Sequence, residues 1–146
     1  MGSRVQVRLA DTPEEIEAVR ALRIRVFVGE QGVPLEAEMD ELDSLARHAI
    51  ALADGVVVGT GRMYGASTGT AHVGRMAVDT GQRRRGIGGL ILSFLEDQAR
   101  LGGAGQVELH AQTYVRSFYE RHGYAAVGEP FFEVDIEHVR MTRRLE

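Results

Sequence analysis

Arg75-Met-Ala-Val-Asp-Thr-Gly-Gln-Arg-Arg-Arg-Gly-Ile-Gly-Gly-Leu90 is the stretch on which the reading of the fold turns. The segment that leads through its start, Ala71 to Val78, is short and apolar and reads as a strand. From Ile87 onward the apolar residues fall at Ile87, Leu90, Ile91, Phe94 and Leu95, the i, i+3, i+4, i+7, i+8 spacing of an amphipathic helix. Between strand and helix stand Arg83, Arg84 and Arg85, then Gly86, Gly88 and Gly89. A strand that enters a helix through such a turn exposes backbone N–H groups at the helix start. They have no intrahelical acceptor there, and the helix dipole adds partial positive charge. The arrangement suits a phosphate or pyrophosphate, to which arginine adds charge-assisted hydrogen bonds. The plainer alternative is a tight strand–helix turn with a solvated basic run.

Two common phosphate motifs do not fit. The chain has no Lys, so the P-loop lysine is missing. Gly86-Ile-Gly88-Gly89 is not a G-x-G-x-x-G, because Ile91 holds the last glycine position. What remains is Arg83-x-x-Gly86-x-Gly88.

The 146 residues suit one domain, 1–146, with a real core, and 44% hydrophobic with 26% charged residues is the balance of a soluble globular protein. No run is long and apolar enough to span a membrane and no signal-peptide pattern opens the chain, so a cytoplasmic location is expected, with no membrane partner. The absence of Cys excludes disulfides and a thiol nucleophile, and the five His have no paired metal-ligand spacing, so no metal is expected. No Gly-x-Ser-x-Gly marks a hydrolase. A net charge of −4 argues against nucleic acid as a partner and makes Arg83 to Arg85 a local feature.

In chain order, Val5 to Leu9 reads as a strand. Thr12-Pro13-Glu14-Glu15 is a capping box with Pro at the first helical position. That helix is expected to bury Ile16, Val19, Leu22 and Val26 and to end at Phe27 to Pro34. Ala37 to Leu45 is acidic, a short helix or irregular loop. His48 to Ala53 and Val56 to Tyr64 are joined by Asp54-Gly55, a hairpin signal. After the long helix come a strand at Val107 to Ala111 and a short helix presenting Val115, Phe118, Tyr119 and His122 on one face, with Gly123 as its C-cap and Tyr124 beginning the next strand. Phe131 to Glu133 and Val139 to Leu145 give a final pair. The order is β-α-(α)-β-β-β-α-β-α-β-β, an α/β chain with a mixed sheet and helices on both faces.

The Arg83-x-x-Gly86-x-Gly88 motif resembles motif A of the GNAT superfamily of acyl-CoA-dependent N-acyltransferases, and the element order is the order of that fold. Val26-Phe-Val-Gly-Glu-Gln31 with Val33-Pro34 and Asp40 is similar to the N-terminal signature of the ElaA-like and YjcF-like bacterial group. So are Ala111-Gln112, Phe118-Tyr119-Glu-Arg-His-Gly123-Tyr124 and the terminal Ile136-x-His138. The resemblance implies a sheet of six to seven strands with a splay between the fourth and fifth. It implies an acetyl-CoA cosubstrate held by Arg83, Arg84, Arg85, Gly86, Ile87, Gly88 and Gly89, its pantetheine arm paired with Met76, Ala77 and Val78. A backbone N–H on that strand would serve the oxyanion. The expected reaction is transfer of an acetyl group to a primary amine of a small molecule or peptide. The alternative is a non-catalytic acyl-CoA sensor.

For proton traffic the resemblance offers Tyr119 as acid. The base is open: Gly74 stands where close relatives carry a glutamate, leaving His72, near where other branches place a base, His110 and His138. Glu30 and Gln31 flank the expected acceptor pocket, and His138 belongs to it, although Asp135-Ile136-Glu137-His138 replaces the family's Gly-Ile-Pro-His. The acidic stretch Glu36, Glu38, Asp40, Glu41 and Asp43 leads to the expectation of a cationic amine, drawn in by negative potential. A homodimer is left open.

Overall fold

In the computed structural model, which describes residues 5–38 and 40–145, the strands form one seven-stranded mixed sheet. They are β1 (Val5–Leu9), β2 (Arg47–Ala53), β3 (Val56–Tyr64), β4 (Thr70–Val78), β5 (Gln106–Gln112), β6 (Ala125–Glu133) and β7 (Ile136–Arg144). Their spatial order is β1-β2-β3-β4-β5-β7-β6, with β4 and β5 parallel and the other neighbours antiparallel. The helices are α1 (Pro13–Arg23), α2 (Leu35–Glu38), α3 (Ile87–Leu101) and α4 (Arg116–Arg121). None of them is long and apolar enough to cross a membrane.

Local signals explain most of the elements. Thr12 accepts from the Glu15 N–H while the Glu15 carboxylate accepts from the Thr12 N–H, the capping box that starts α1. Asp54 and Gly55, at φ 52° and 80°, make the tight β2–β3 turn. Helix α3 crosses one face with Ile87, Ile91, Leu92, Leu95 and Ala99 fully or almost fully buried. It lies close on β3 because a Cβ on Gly61 would stand 2.9 Å from Ile91 Cγ2 and 3.0 Å from Leu95 Cδ1. On the other face Leu22 and Val26 pack on Ala77. Burying each such aliphatic side chain contributes about 1.5–3 kcal/mol.

Two residues expected in the core are not there. Leu90 is 48% exposed and Ile16 is 39% exposed. At about 100° per residue the buried stripe of α3 is centred on Ile91, Leu95 and Ala99, which turns Leu90 outward. The first turn of α1 likewise precedes the Val19–Leu22–Val26 stripe. Helix α1 widens after Arg23 into a π-helical segment, Ile24–Glu30, closed by Gln31 N–H to Val26 O at 3.2 Å, so the helical run ends inside the Phe27 to Pro34 stretch expected to end it. Strand β6 runs from Ala125, one residue past the expected start at Tyr124, and its pairing with β7 breaks off after Val127 and resumes at Phe131.

The decisive feature is where β4 leaves β5. Their pairing runs from Thr70 opposite Gln106 to Val73 opposite Leu109 and then ends, while β4 continues to Val78 and β5 to Gln112. Beyond that point β4 stays with β3, and β5 stays with β7. A bulge marks the parting: Thr60 faces Ala77 but Arg62 faces Gly74, so Arg75 and Met76 together oppose Gly61. Such an insertion bends its strand.

Candidate active site

The parted strands border a cleft of about 660 Å³. Gly74, Arg75, Met76, Ala77 and Val78 line it from β4, Leu109, His110 and Gln112 from β5. The π-helical segment and the turn after it add Phe27, Glu30 and Gln31, α3 adds Gly88, α4 adds Phe118 and Tyr119, and the β6–β7 hairpin adds Val134 and His138. Gln112 donates to Gln31 at 2.8 Å, tying the two walls together.

At one end lies the glycine turn. Gly86 caps α3 at φ 75°, a left-handed conformation natural to glycine, and no side chain caps the helix. The Leu90 N–H is bonded to Gly86 O, so the N–H groups of Ile87, Gly88 and Gly89 precede the first helical acceptor. The first turn holds no acidic residue. Ile87 turns its side chain into the core, so only its backbone can serve a ligand. A Cβ on Gly88 would be 3.3 Å from Phe118 Cζ, which shows how narrow the cleft is there. The arginines are exposed. Arg83 grips both Glu30 oxygens at 2.8 and 2.9 Å and reaches Val78 O at 2.9 Å, and Arg85 contacts Gln82. The hydrogen bond from Arg83 holds the Glu30 carboxyl below its usual range. Arg84 occupies the turn at φ 67°.

The open edge of β4 runs from that turn to the bulge. The Asp79 N–H crosses to Val58 O on β3. Strand alternation therefore turns Ala77 toward β3 and leaves the main-chain groups of Met76 and Val78 on the unpaired edge. Arg75, just before Met76, sits at φ 53°. A non-glycine residue there is disfavoured by about 1–2 kcal/mol. Its guanidinium donates to Glu38 O, Ala37 O and Asp40 Oδ2, each at 3.2 Å.

Tyr119 lies against Phe118 and Tyr124 with its rings edge-on, and its hydroxyl has no hydrogen-bond partner among the described residues. Burial, with Tyr114 nearby, pushes its pKa up to about 12, so it stays a hydrogen-bond donor near neutral pH. His110 is at the rim, its Nδ1 2.7 Å from Glu133 Oε1 and its ring edge-on to Phe131. His138 is buried, with Nδ1 bonded to Ile136 O at 2.7 Å. Glu133 bridges the two histidines, since its Oε2 is 3.9 Å from His138 Nε2. His72 lies outside the cleft. It sits on the paired half of β4, stacks on Tyr64 at 5.1 Å and faces Glu108 at 3.7 Å.

Three of the five carboxylates of the acidic stretch are matched by arginine, while Glu36 and Glu41 stay exposed. Arg23 bonds Glu38 at 2.6 Å and Asp43 at 2.8 Å, Arg62 bonds Asp40 at 2.7 Å and Asp43 at 2.9 Å, and Arg75 adds its contact to Asp40. Three guanidinium groups thus match three carboxylates. Hydrogen bonds from Arg62 hold Asp40 below the usual range, and for Asp43 the two arginines outweigh burial and act the same way. Arg75 and Glu133, which nothing local distinguishes, escaped the reading of the sequence.

A family model described as an acetyltransferase (GNAT) domain matches residues 11–145. The protein named "Uncharacterized N-acetyltransferase YjcF" of Bacillus subtilis is 35% identical over 136 residues, covering 92% of this chain and 96% of that one. An acyl-CoA N-acyltransferase from Pseudomonas aeruginosa, with a solved structure, superposes with a TM-score of 0.83 at 30% identity, over 97% of this chain and 99% of that one. Escherichia coli ElaA superposes with a TM-score of 0.83 over the same shares at 24% identity, a likeness of fold.

Proposed function

The chain belongs to the GNAT acetyltransferase family and is an acyltransferase, and from that premise we propose that it moves an acetyl group from acetyl-CoA to a primary amine in a ternary complex. The observation that carries the proposal is the parting of β4 from β5 beside an uncapped glycine helix start. One end of the cleft offers N–H donors to a pyrophosphate. The edge at Met76 and Val78 offers main-chain groups to an amide-bearing arm, which would add to the sheet like a strand.

Each step falls to a residue of the cleft. His110 accepts a proton from the ammonium at Nε2, while Glu133 holds the ring in place through its Nδ1. The free amine attacks the thioester carbonyl and a C–N bond forms, and the surplus proton of the attacking nitrogen leaves to solvent as the thiolate departs. The Met76 N–H meets the developing oxyanion. As the C–S bond breaks, Tyr119 donates a hydrogen bond to the departing sulfur. With a pKa of about 12 against about 8.5 for an ordinary thiol, Tyr119 steadies the thiolate without surrendering its own proton. Gln31 and His138 border the acceptor. Glu30 serves the other end instead, fixing Arg83.

The test is release of free thiol from acetyl-CoA across a panel of amines, with the acetylated product identified by mass. Because the acidic cluster is matched by arginines, the panel spans neutral, anionic and cationic amines. Thiol release above hydrolysis with at least one primary amine is expected. Binding of acetyl-CoA with no turnover of any amine points to the sensor reading instead.

A further inference from the structure

We infer that Arg75 is the positioning residue of the acyl-transfer step: anchored on the 37–40 segment, it holds the β4 bulge that keeps the Met76 N–H on the open edge. The inference rests on the acetyl-CoA reading above and adds a residue to it. Arg75 is a left-handed, non-glycine residue inside a strand, which sterics oppose. Something must hold it there, and three hydrogen bonds do so. Its Nε donates to Glu38 O, and its Nη2 donates to Ala37 O and Asp40 Oδ2. Asp40 is itself fixed by Arg62 Nη1 at 2.7 Å and Nη2 at 2.9 Å. The side chain is thus tied to two main-chain carbonyls and to a carboxylate that another arginine immobilises.

Removing that tie has a definite structural consequence. The bulge places two residues, Arg75 and Met76, opposite Gly61. A strand freed of the left-handed residue recovers regular pairing by slipping one position. A one-residue slip reverses the direction of every following N–H. The Met76 N–H would then turn toward β3, away from the cleft. Arg75 therefore acts through Met76. Gly74 just before it leaves open space, so no side chain there shares the work.

The experiment uses acetyl-CoA carrying carbon-13 at the thioester carbonyl, bound to the full chain and observed by NMR. A hydrogen bond to that carbonyl polarises it and moves its resonance downfield of free acetyl-CoA. Arg75→Met keeps a side chain that the left-handed backbone disfavours but has no guanidinium. It is expected to keep acetyl-CoA affinity within about threefold while losing roughly half or more of the displacement. Arg75→Lys, which cannot reach two carbonyls and a carboxylate together, is expected to lose displacement as well. Should Arg75→Met fail to fold, Asp40→Asn removes a single anchor and is expected to reduce the displacement in part. Full displacement in a folded Arg75→Met, or in Asp40→Asn when that variant stands in, overturns the inference. So does wild-type protein that binds acetyl-CoA with no displacement. Wild-type protein that does not bind acetyl-CoA overturns the donor reading itself, and the inference with it.

Discussion

The two halves of the β4–β5 pair are made by the same strands and differ in one respect. From Thr70 to Val73 the strands are bonded to each other, and the side chains above them are occupied: His72 stacks on Tyr64 and faces Glu108. From Gly74 to Val78 the strands part, and backbone groups and side chains face a cleft instead. An unpaired strand edge inside a fold is unusual, since buried backbone groups otherwise find partners. The difference teaches that this protein keeps hydrogen-bonding capacity open between two neighbouring strands of its sheet, beside a bulge. Histidines on the two halves have similar chemistry and different prospects.

Tyr119→Phe should break the comparison most severely if the open half is catalytic. It keeps the ring and removes only the hydroxyl, so kcat with a true acceptor should fall about 10²–10³-fold, the range for losing one hydrogen-bond donor to a developing anion. Acetyl-CoA affinity and thermal midpoint should barely change. An unchanged kcat, with chemistry shown to be rate-limiting, would reduce Tyr119 to packing.

Gly88→Glu tests the end of the open half. It places bulk and charge where a pyrophosphate would approach, and Phe118 lies 3.3 Å from the new Cβ. Acetyl-CoA affinity should drop by about 10³, about 4 kcal/mol. Calorimetry on a variant with wild-type circular dichroism checks this, and near-normal affinity removes the phosphate assignment.

The histidines sharpen the comparison directly. His110→Gln, on the open half, should lower kcat/KM by about 10². His72→Gln, on the paired half, should lower it by less than about threefold. Equal effects, or the reverse order, would move the base out of the cleft.

The smallest effect concerns the cluster behind the bulge. Hydrogen bonds from Arg62 hold the Asp40 carboxyl below its unfolded value. A depressed folded pKa contributes stability that is complete above the unfolded value of about 3.9 and is lost as pH falls through the folded one. The thermal midpoint should therefore decline below about pH 4, less steeply in Asp40→Asn than in wild type. Parallel profiles would mean that Asp40 adds no pH-dependent stability.

Much of this molecule was legible in its residues because the relevant forces are local. The Thr12–Glu15 cap, the Asp54-Gly55 turn and the strand–Gly86–helix transition depend on torsions and hydrogen bonds within a few positions. Periodicity identified α3 and the order of strands, and the glycine turn it pointed to stands at one end of the cleft. The tertiary structure decided the rest. Leu90 and Leu92 are equally apolar, and only the direction of the packed face exposes one and buries the other. Glu38, Asp40 and Asp43 read as an acidic patch until Arg23, Arg62 and Arg75 arrive from other elements and neutralise them. His72 and His110 are both strand histidines, and the sorting depends on where β4 and β5 stop pairing. The bulge at Arg75 stands beside that point. A bulge is a mismatch of register between two strands, which exists only once the strands have met.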